Sequence, residues 1–141
     1  MTEPATDFCW PVRVYMEDTD AGGIVFYVNY LKFMERARTE FLRQLGFDRN
    51  NIFSEQQMFV VHSVNAEYKA PARLDQLLSV EARVMQLKRT SVILRQNIYC
   101  NAELLCAGHV KLACVNRETM RPLPIPPVMH RALEQSLRTQ D

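Results

Sequence analysis

The chain has no apolar run long enough to cross a bilayer: the longest, Ile24 to Val28, falls far short of the roughly 20 residues a spanning helix needs. It also lacks an excess of charge of either sign. Seventeen Lys and Arg against sixteen Asp and Glu leave a net charge of +1, too balanced for a protein that tracks a nucleic-acid phosphate backbone. Cysteine is sparse: Cys9, Cys100, Cys106 and Cys114 never form a Cys-x-x-Cys pair. The three histidines are scattered at 62, 109 and 130, so no metal-ligand set is read and no metal is expected. The opening MTEPATDFCW has acidic residues and no basic head leading into an apolar stretch. It is not read as a secretory signal, and a cytoplasmic location is expected.

What is present is an ordinary globular composition, 48% hydrophobic and 23% charged over 141 residues. That length suits one domain, 1–141, with a proline-punctuated tail and helix from about residue 122. Residues 8–17 suggest a first strand, with Pro11 tolerable only near an edge or the strand start. A helix is expected from about Asn29 to Leu45. Tyr30, Leu31, Phe33, Met34, Ala37, Phe41, Leu42 and Leu45 fall on one half of its wheel, and Gly46 sits where a C-terminal cap belongs.

From residue 58 the period changes to alternation. Val60, His62, Val64, Ala66 and Tyr68 share a face, and Leu78, Val80, Ala82 and Val84 alternate with Ser79, Glu81 and Arg83. Val92 to Cys100 forms a third run, and Leu104 to Cys114 a fourth. Val128 to Leu137 suggests a short terminal helix with Pro127 near its first position. Short breaks between long alternating runs imply antiparallel pairing. The expectation is an α+β fold, a curved antiparallel sheet wrapped around one long central helix, with a second copy completing the cover.

The chemistry concentrates at Glu17-Asp18-Thr19-Asp20-Ala21-Gly22-Gly23-Ile24-Val25-Phe26-Tyr27, between the first strand and the helix. A helix N-terminus offers unsatisfied N–H groups that can polarise a carbonyl and stabilise the developing oxyanion. A carboxylate held opposite can attack that carbonyl or deprotonate a water. Gly22 and Gly23 would let a substrate approach the backbone, and Val25 belongs to the same run. Taken alone, the stretch equally fits a turn whose aspartates cap the helix.

The segment WPVRVYMEDTDAGGIVFYVNYLKFMERARTEFLRQLGF, with FVV, EY and APARL further on, resembles the YbgC-type acyl-CoA thioesterases. These are grouped with the 4-hydroxybenzoyl-CoA thioesterases in the hotdog superfamily. The resemblance runs from about Phe8 to Val115. It implies a hotdog fold, a homodimer with a continuous sheet, and often a tetramer. It implies hydrolysis of acyl-CoA, or of an acyl-carrier-protein thioester, with coenzyme A as part of the substrate and no cofactor. The second aspartate of the motif, Asp20, is then the catalytic carboxylate, as nucleophile or general base. The polarising backbone N–H falls on Tyr27. Two departures accompany the match: Tyr27 stands where YbgC-type members commonly have histidine, and Met16 where they have tyrosine. The 4-hydroxybenzoyl type carries a tyrosine at the first of these positions.

Coenzyme A phosphates need cations. Related enzymes place a basic cluster where this chain has Lys88-Arg89-Thr90-Ser91, and Arg73 is a second expectation. His62 is read as packed between Val60 and Val64. Arg38, inside the helix's apolar arc, is expected to pair with Asp18 or Glu67. A hotdog dehydratase or hydratase would need a catalytic histidine near the helix, and residues 17–45 contain none. A non-catalytic acyl-CoA-binding hotdog module is the alternative from another class.

Overall fold

In the computed structural model, residues 8–47 and 56–139 are described. The chain runs β1 (Phe8–Arg13), a 3-10 turn (Met16–Asp18), α1 (Val28–Gln44), β2 (Gln57–Tyr68), β3 (Leu77–Leu87), β4 (Ser91–Arg95), β5 (Ile98–Cys100), β6 (Glu103–Asn116) and α2 (Pro127–Thr139). The strands make one antiparallel sheet ordered β1-β3-β4-β6-β2, with β5 pairing both β3 and β6. Pro11 lies in β1 at one edge, where a missing N–H costs least. The long strand β2 forms the other edge.

Helix α1 forms because its apolar residues recur at spacings of three and four. Tyr30, Phe33, Met34, Ala37 and Phe41 are all 4% exposed or less. They join Leu78, Val80, Ala82 and Val84 of β3 and Val110, Leu112 and Cys114 of β6 in one core. Its C-terminus closes in a Schellman arrangement, Phe47 N–H to the Leu42 carbonyl and Gly46 N–H to the Arg43 carbonyl. The helix sits close on the sheet at Gly108, where an added Cβ would lie 2.5 Å from Met34 Cε and 3.1 Å from the Gln96 carbonyl oxygen.

Five expectations are corrected. The first strand stops at Arg13, and Met16–Asp18 turns as a 3-10 helix closed by Asp18 N–H to the Tyr15 carbonyl. The third alternating run is two strands, broken at Gln96 and Asn97. Gln96 is fully buried, and its amide donates to the Met34 carbonyl of α1 at 2.8 Å. The break thus exchanges strand regularity for a buried side-chain amide whose two ends bond to α1, Nε2 to the Met34 carbonyl and Oε1 from Arg38.

In β2 a bulge at His62 shifts the register, so that Val61 pairs with Leu112 and Ser63 with Lys111. Opposed residues share a face, so Phe59 and Val61, rather than Val60 and His62, lie with Val64, Ala66 and Tyr68. His62 is exposed, not packed. Arg38 pairs with neither Asp18 nor Glu67: its guanidinium donates to Gln96 Oε1 at 3.2 Å. Burial lowers its pKa from the usual value, and Glu35 acts in the opposite direction.

The fully buried Cys106 thiol is pushed up to about 11 from an ordinary 9.0 by desolvation. A thiol whose folded pKa is raised contributes stability below its unfolded pKa and loses it as pH rises through the folded value. Stability should therefore decline between about pH 9 and 11, and less steeply in Cys106→Ala relative to that variant's own neutral-pH value. Urea midpoints measured across that window check this; an equal decline in both proteins would refute it.

Candidate functional site

Around the Asp-x-Asp-Ala-Gly-Gly motif the backbone makes a tight hairpin rather than a helix cap. Thr19 bridges Val25, Asp20 N–H donates to the Ile24 carbonyl at 2.9 Å, and Gly23 N–H to the Asp20 carbonyl at 3.1 Å. Gly23 takes φ +80, a left-handed conformation that a side chain would strain. The hairpin is tied to the segment after β2 by Val25 N–H to the Ala72 carbonyl and Leu74 N–H to the Gly23 carbonyl.

The two aspartates have separate roles in this frame. Asp18 is buried, and its carboxylate accepts the Tyr15 N–H at 2.9 Å. Its carbonyl accepts Phe26 N–H at 3.0 Å and the Asn29 side-chain amide at 2.8 Å. Asp20 is exposed. Its Oδ1 accepts Gly22 N–H at 2.8 Å, and its second oxygen has no protein partner among the described residues. Neither carboxylate caps α1, whose N-cap Tyr27 has no side-chain capping bond.

That leaves the start of α1 open. Asn29 and Tyr30 N–H groups bond back to the Phe26 and Tyr27 carbonyls, while the N–H groups of Tyr27 and Val28 have no partner among the described residues. Beside them lies a cavity of about 280 Å³ lined by Ile24, Val25, Tyr27, Tyr30, Tyr68 and Pro71, among others. Tyr30 forms its wall firmly, because its buried hydroxyl accepts Ala72 N–H at 2.9 Å. Tyr68 stands edge-on to Tyr27, ring centroids 6.1 Å apart, and its hydroxyl donates to the Tyr27 carbonyl at 3.4 Å. Desolvation raises both phenol pKa values, with the Ala72 N–H bond working the other way on Tyr30. Both are uncharged phenols at neutral pH, so the walls they supply are apolar with hydroxyl tips, and Lys69 adds a cation to the lining.

Of the residues singled out in the sequence, Asp20, Gly22, Gly23, Val25 and Tyr27 share this corner, and Arg73 joins them by bridging Ile24. Lys88, Arg89, Thr90 and Ser91 do not. They follow the far end of β3, whose 11 residues span about 35 Å from the motif end. Lys88 N–H donates there to the Ser91 carbonyl, and the tail returns to the same turn through Ile125 N–H to the Arg89 carbonyl. Lys88 and Arg89 line a separate cavity of about 410 Å³ with His130 and Arg131. A larger cavity, about 960 Å³, opens between β1, the C-terminal end of α1 and α2, away from the motif. Among the described residues no group of three or more His, Cys, Asp and Glu could hold a metal ion.

Sequence reasoning missed Tyr30 and Tyr68 as pocket walls and Asn29 as a tether. Tyr30 was legible only as a core position. Tyr68 meets Tyr27 across 41 positions, a contact that no local pattern signals.

A family model for the thioesterase superfamily matches residues 22–107. The acyl-CoA thioesterase YbgC of Haemophilus influenzae is 45% identical over 120 residues, 84% of this chain and 88% of that protein. The YbgC acyl-CoA thioesterase of Helicobacter pylori is 39% identical over 132 residues, 86% and 96% of the two chains. Among solved structures, a probable thioesterase from Bartonella henselae aligns with a TM-score of 0.80 at 33% identity, covering 85% of this chain and 99% of its own. A gentisyl-coenzyme A thioesterase aligns at 0.80 with 30% identity, covering 89% and 98%.

Proposed function

Because the chain belongs to the thioesterase superfamily, alongside its YbgC acyl-CoA thioesterases, we propose that the corner formed by Asp20 and the start of α1 is where it hydrolyses acyl-CoA thioesters to free acid and coenzyme A. One observation carries the assignment: an exposed carboxylate shares a corner with two backbone N–H groups and a mostly apolar cavity, and neither those N–H groups nor one carboxylate oxygen has a partner among the described residues. The acyl group enters the cavity between Tyr30 and Tyr68, and its carbonyl oxygen faces the Tyr27 N–H. Asp20 attacks the carbonyl carbon or takes a proton from the attacking water. Either route places negative charge on that oxygen, where a donor at the positive end of a helix stabilises it. The thiolate leaves and takes up a proton as coenzyme A; on the first route water then cleaves the acyl-aspartyl anhydride, releasing the acid and restoring the Asp20 carboxylate. Acyl carrier protein presents the same phosphopantetheine thioester and extends the substrate class.

The polar donor is a main-chain group, so a tyrosine in place of histidine at position 27 is compatible with turnover. Arg73, beside the motif, is placed to meet the pantetheine or phosphate portion. Lys88 and Arg89 cannot reach it within one protomer. They serve a coenzyme A bound to a second copy, in a homodimer paired antiparallel through the β2 edges, where Val61, Val64 and Tyr68 are 42–47% exposed. Such dimers pair again in a tetramer. No described helix is long and apolar enough to cross a membrane.

The test is thiol release from short aliphatic, long aliphatic and hydroxybenzoyl coenzyme A esters and from an acyl carrier protein ester. Wild type turns over at least one class, and Tyr27→Phe retains its rate within about threefold because the N–H is kept. A loss of a hundredfold in Tyr27→Phe would move the polarising role to the phenol.

A further inference from the structure

The hairpin bearing Asp20 and the helix bearing the free N–H groups are separate elements, joined through Phe26 and Tyr27. Their relative placement decides whether a carbonyl can meet both at once. The hairpin is held to Ala72 and Leu74 by main-chain bonds. The start of α1 is held to the residues before the hairpin at a single acceptor, the carbonyl of Asp18, which takes Phe26 N–H and the Asn29 side-chain amide.

Asp18 is in turn fixed by its carboxylate on Tyr15 N–H and by its own N–H on the Tyr15 carbonyl. Among the described residues, Asn29 carries the one side chain of α1 that hydrogen-bonds to residues 16–25. It is half-buried in the first turn, next to Val28, and is not among the residues that line the cavity with Tyr30.

We infer that Asn29 is a positioning residue for the hydrolysis, locking the first turn of α1 to Asp18 so that the Tyr27 N–H and the Asp20 carboxylate keep a common target. The inference rests on the assignment of Asp20 and Tyr27 proposed above. Asn29 touches neither substrate nor the reacting atoms. It acts through the carbonyl of Asp18, and only a donor suits that acceptor. A displacement of about 1 Å between reacting groups can cost up to a hundredfold in rate.

The experiment compares steady-state kinetics and melting of wild type, Asn29→Ala, Asn29→Asp and Asn29→Ser with the same ester, with Asp20→Asn measured alongside. Asn29→Asp keeps the shape, removes the donor and sets a carboxylate against a carbonyl. Expected are falls in kcat of about ten- to a hundredfold in Asn29→Ala and at least as much in Asn29→Asp. KM should stay within about twofold and melting within a few degrees. Asn29→Ser, which keeps a shorter donor, should recover part of kcat. Asn29→Ala with kcat within twofold of wild type, while Asp20→Asn is inactive, overturns the positioning role and leaves the catalytic assignment standing. Equal losses in kcat, affinity and melting across all three variants overturn it in favour of a purely structural bond. Full activity in Asp20→Asn brings down the catalytic assignment itself, and this inference with it.

Discussion

Asp20→Asn should lower kcat/KM for the best thioester at least about a hundredfold, equivalent to about 2.7 kcal/mol of transition-state stabilisation, while leaving the fold intact. The side chain is exposed and makes one bond, to Gly22 N–H in its own turn, which the asparagine oxygen can also accept. Removing the charge abolishes both a nucleophile and a general base, so the loss falls on kcat rather than on folding. Single turnover in ¹⁸O-water can reveal the nucleophilic route. Label carried into the Asp20 carboxylate marks attack by Asp20 and an anhydride opened at the aspartyl carbon; label confined to the released acid leaves general-base hydrolysis, or an anhydride opened at the acyl carbon. Activity within about threefold of wild type in Asp20→Asn would move the chemistry away from this turn. Absence of turnover in wild type on every ester, with acyl-CoA still bound tightly, would instead indicate a binding module.

The largest effect on stability is expected at Arg95. Its guanidinium grips Glu81 through two bonds, Nε to Oε1 at 2.8 Å and an Nη to Oε2 at 2.7 Å, on the face of β3 opposite Val80 and Ala82. Glu81 is 3% exposed, so that fork replaces most of the water its carboxylate would otherwise bind, with Asn97 N–H adding a longer bond at 3.4 Å. Arg95→Met leaves a buried carboxylate without its cation, which costs about 3 kcal/mol, and melting should fall by about 10 °C. The double variant Glu81→Leu, Arg95→Met should regain most of that, because removing both charges removes the desolvation cost as well. A loss in Arg95→Met below about 1 kcal/mol in urea titration would show that the pair is solvated enough to be dispensable.

Much of this molecule is written locally. The 3.6-residue recurrence of Tyr30, Phe33, Met34, Ala37 and Phe41 is enough to define α1 to within one residue at each end. Alternation in Leu78, Val80, Ala82 and Val84 likewise defines β3 and its buried face. The motif around Asp20 and the glycines was legible because turn chemistry and the helix start lie together along the chain. Two errors arose where a strand was interrupted without a sign in the pattern. The bulge at His62 moved Phe59 and Val61 onto the face assigned to Val60 and His62, since a single insertion inverts every side chain before it. At Gln96 the alternating pattern ran on unbroken through a point where the strand yields to a side chain bonding α1.

The sequence by itself thus determined the α+β class, the extent of the central helix, the superfamily resemblance and the corner that contains Asp20 and Tyr27. Periodicity and turn propensity are properties of neighbouring residues, and these features need nothing more. Only the tertiary structure decided the partners of groups far apart in the chain. It gave Arg38 to Gln96 rather than to Asp18, set Tyr68 against Tyr27, and drew Arg73 to the motif. It also set Lys88 and Arg89 at the opposite end of β3 from the carboxylate. A charged or polar side chain takes the partner that the packed core brings within about 3 Å of it, and that choice depends on how strands and helix stack.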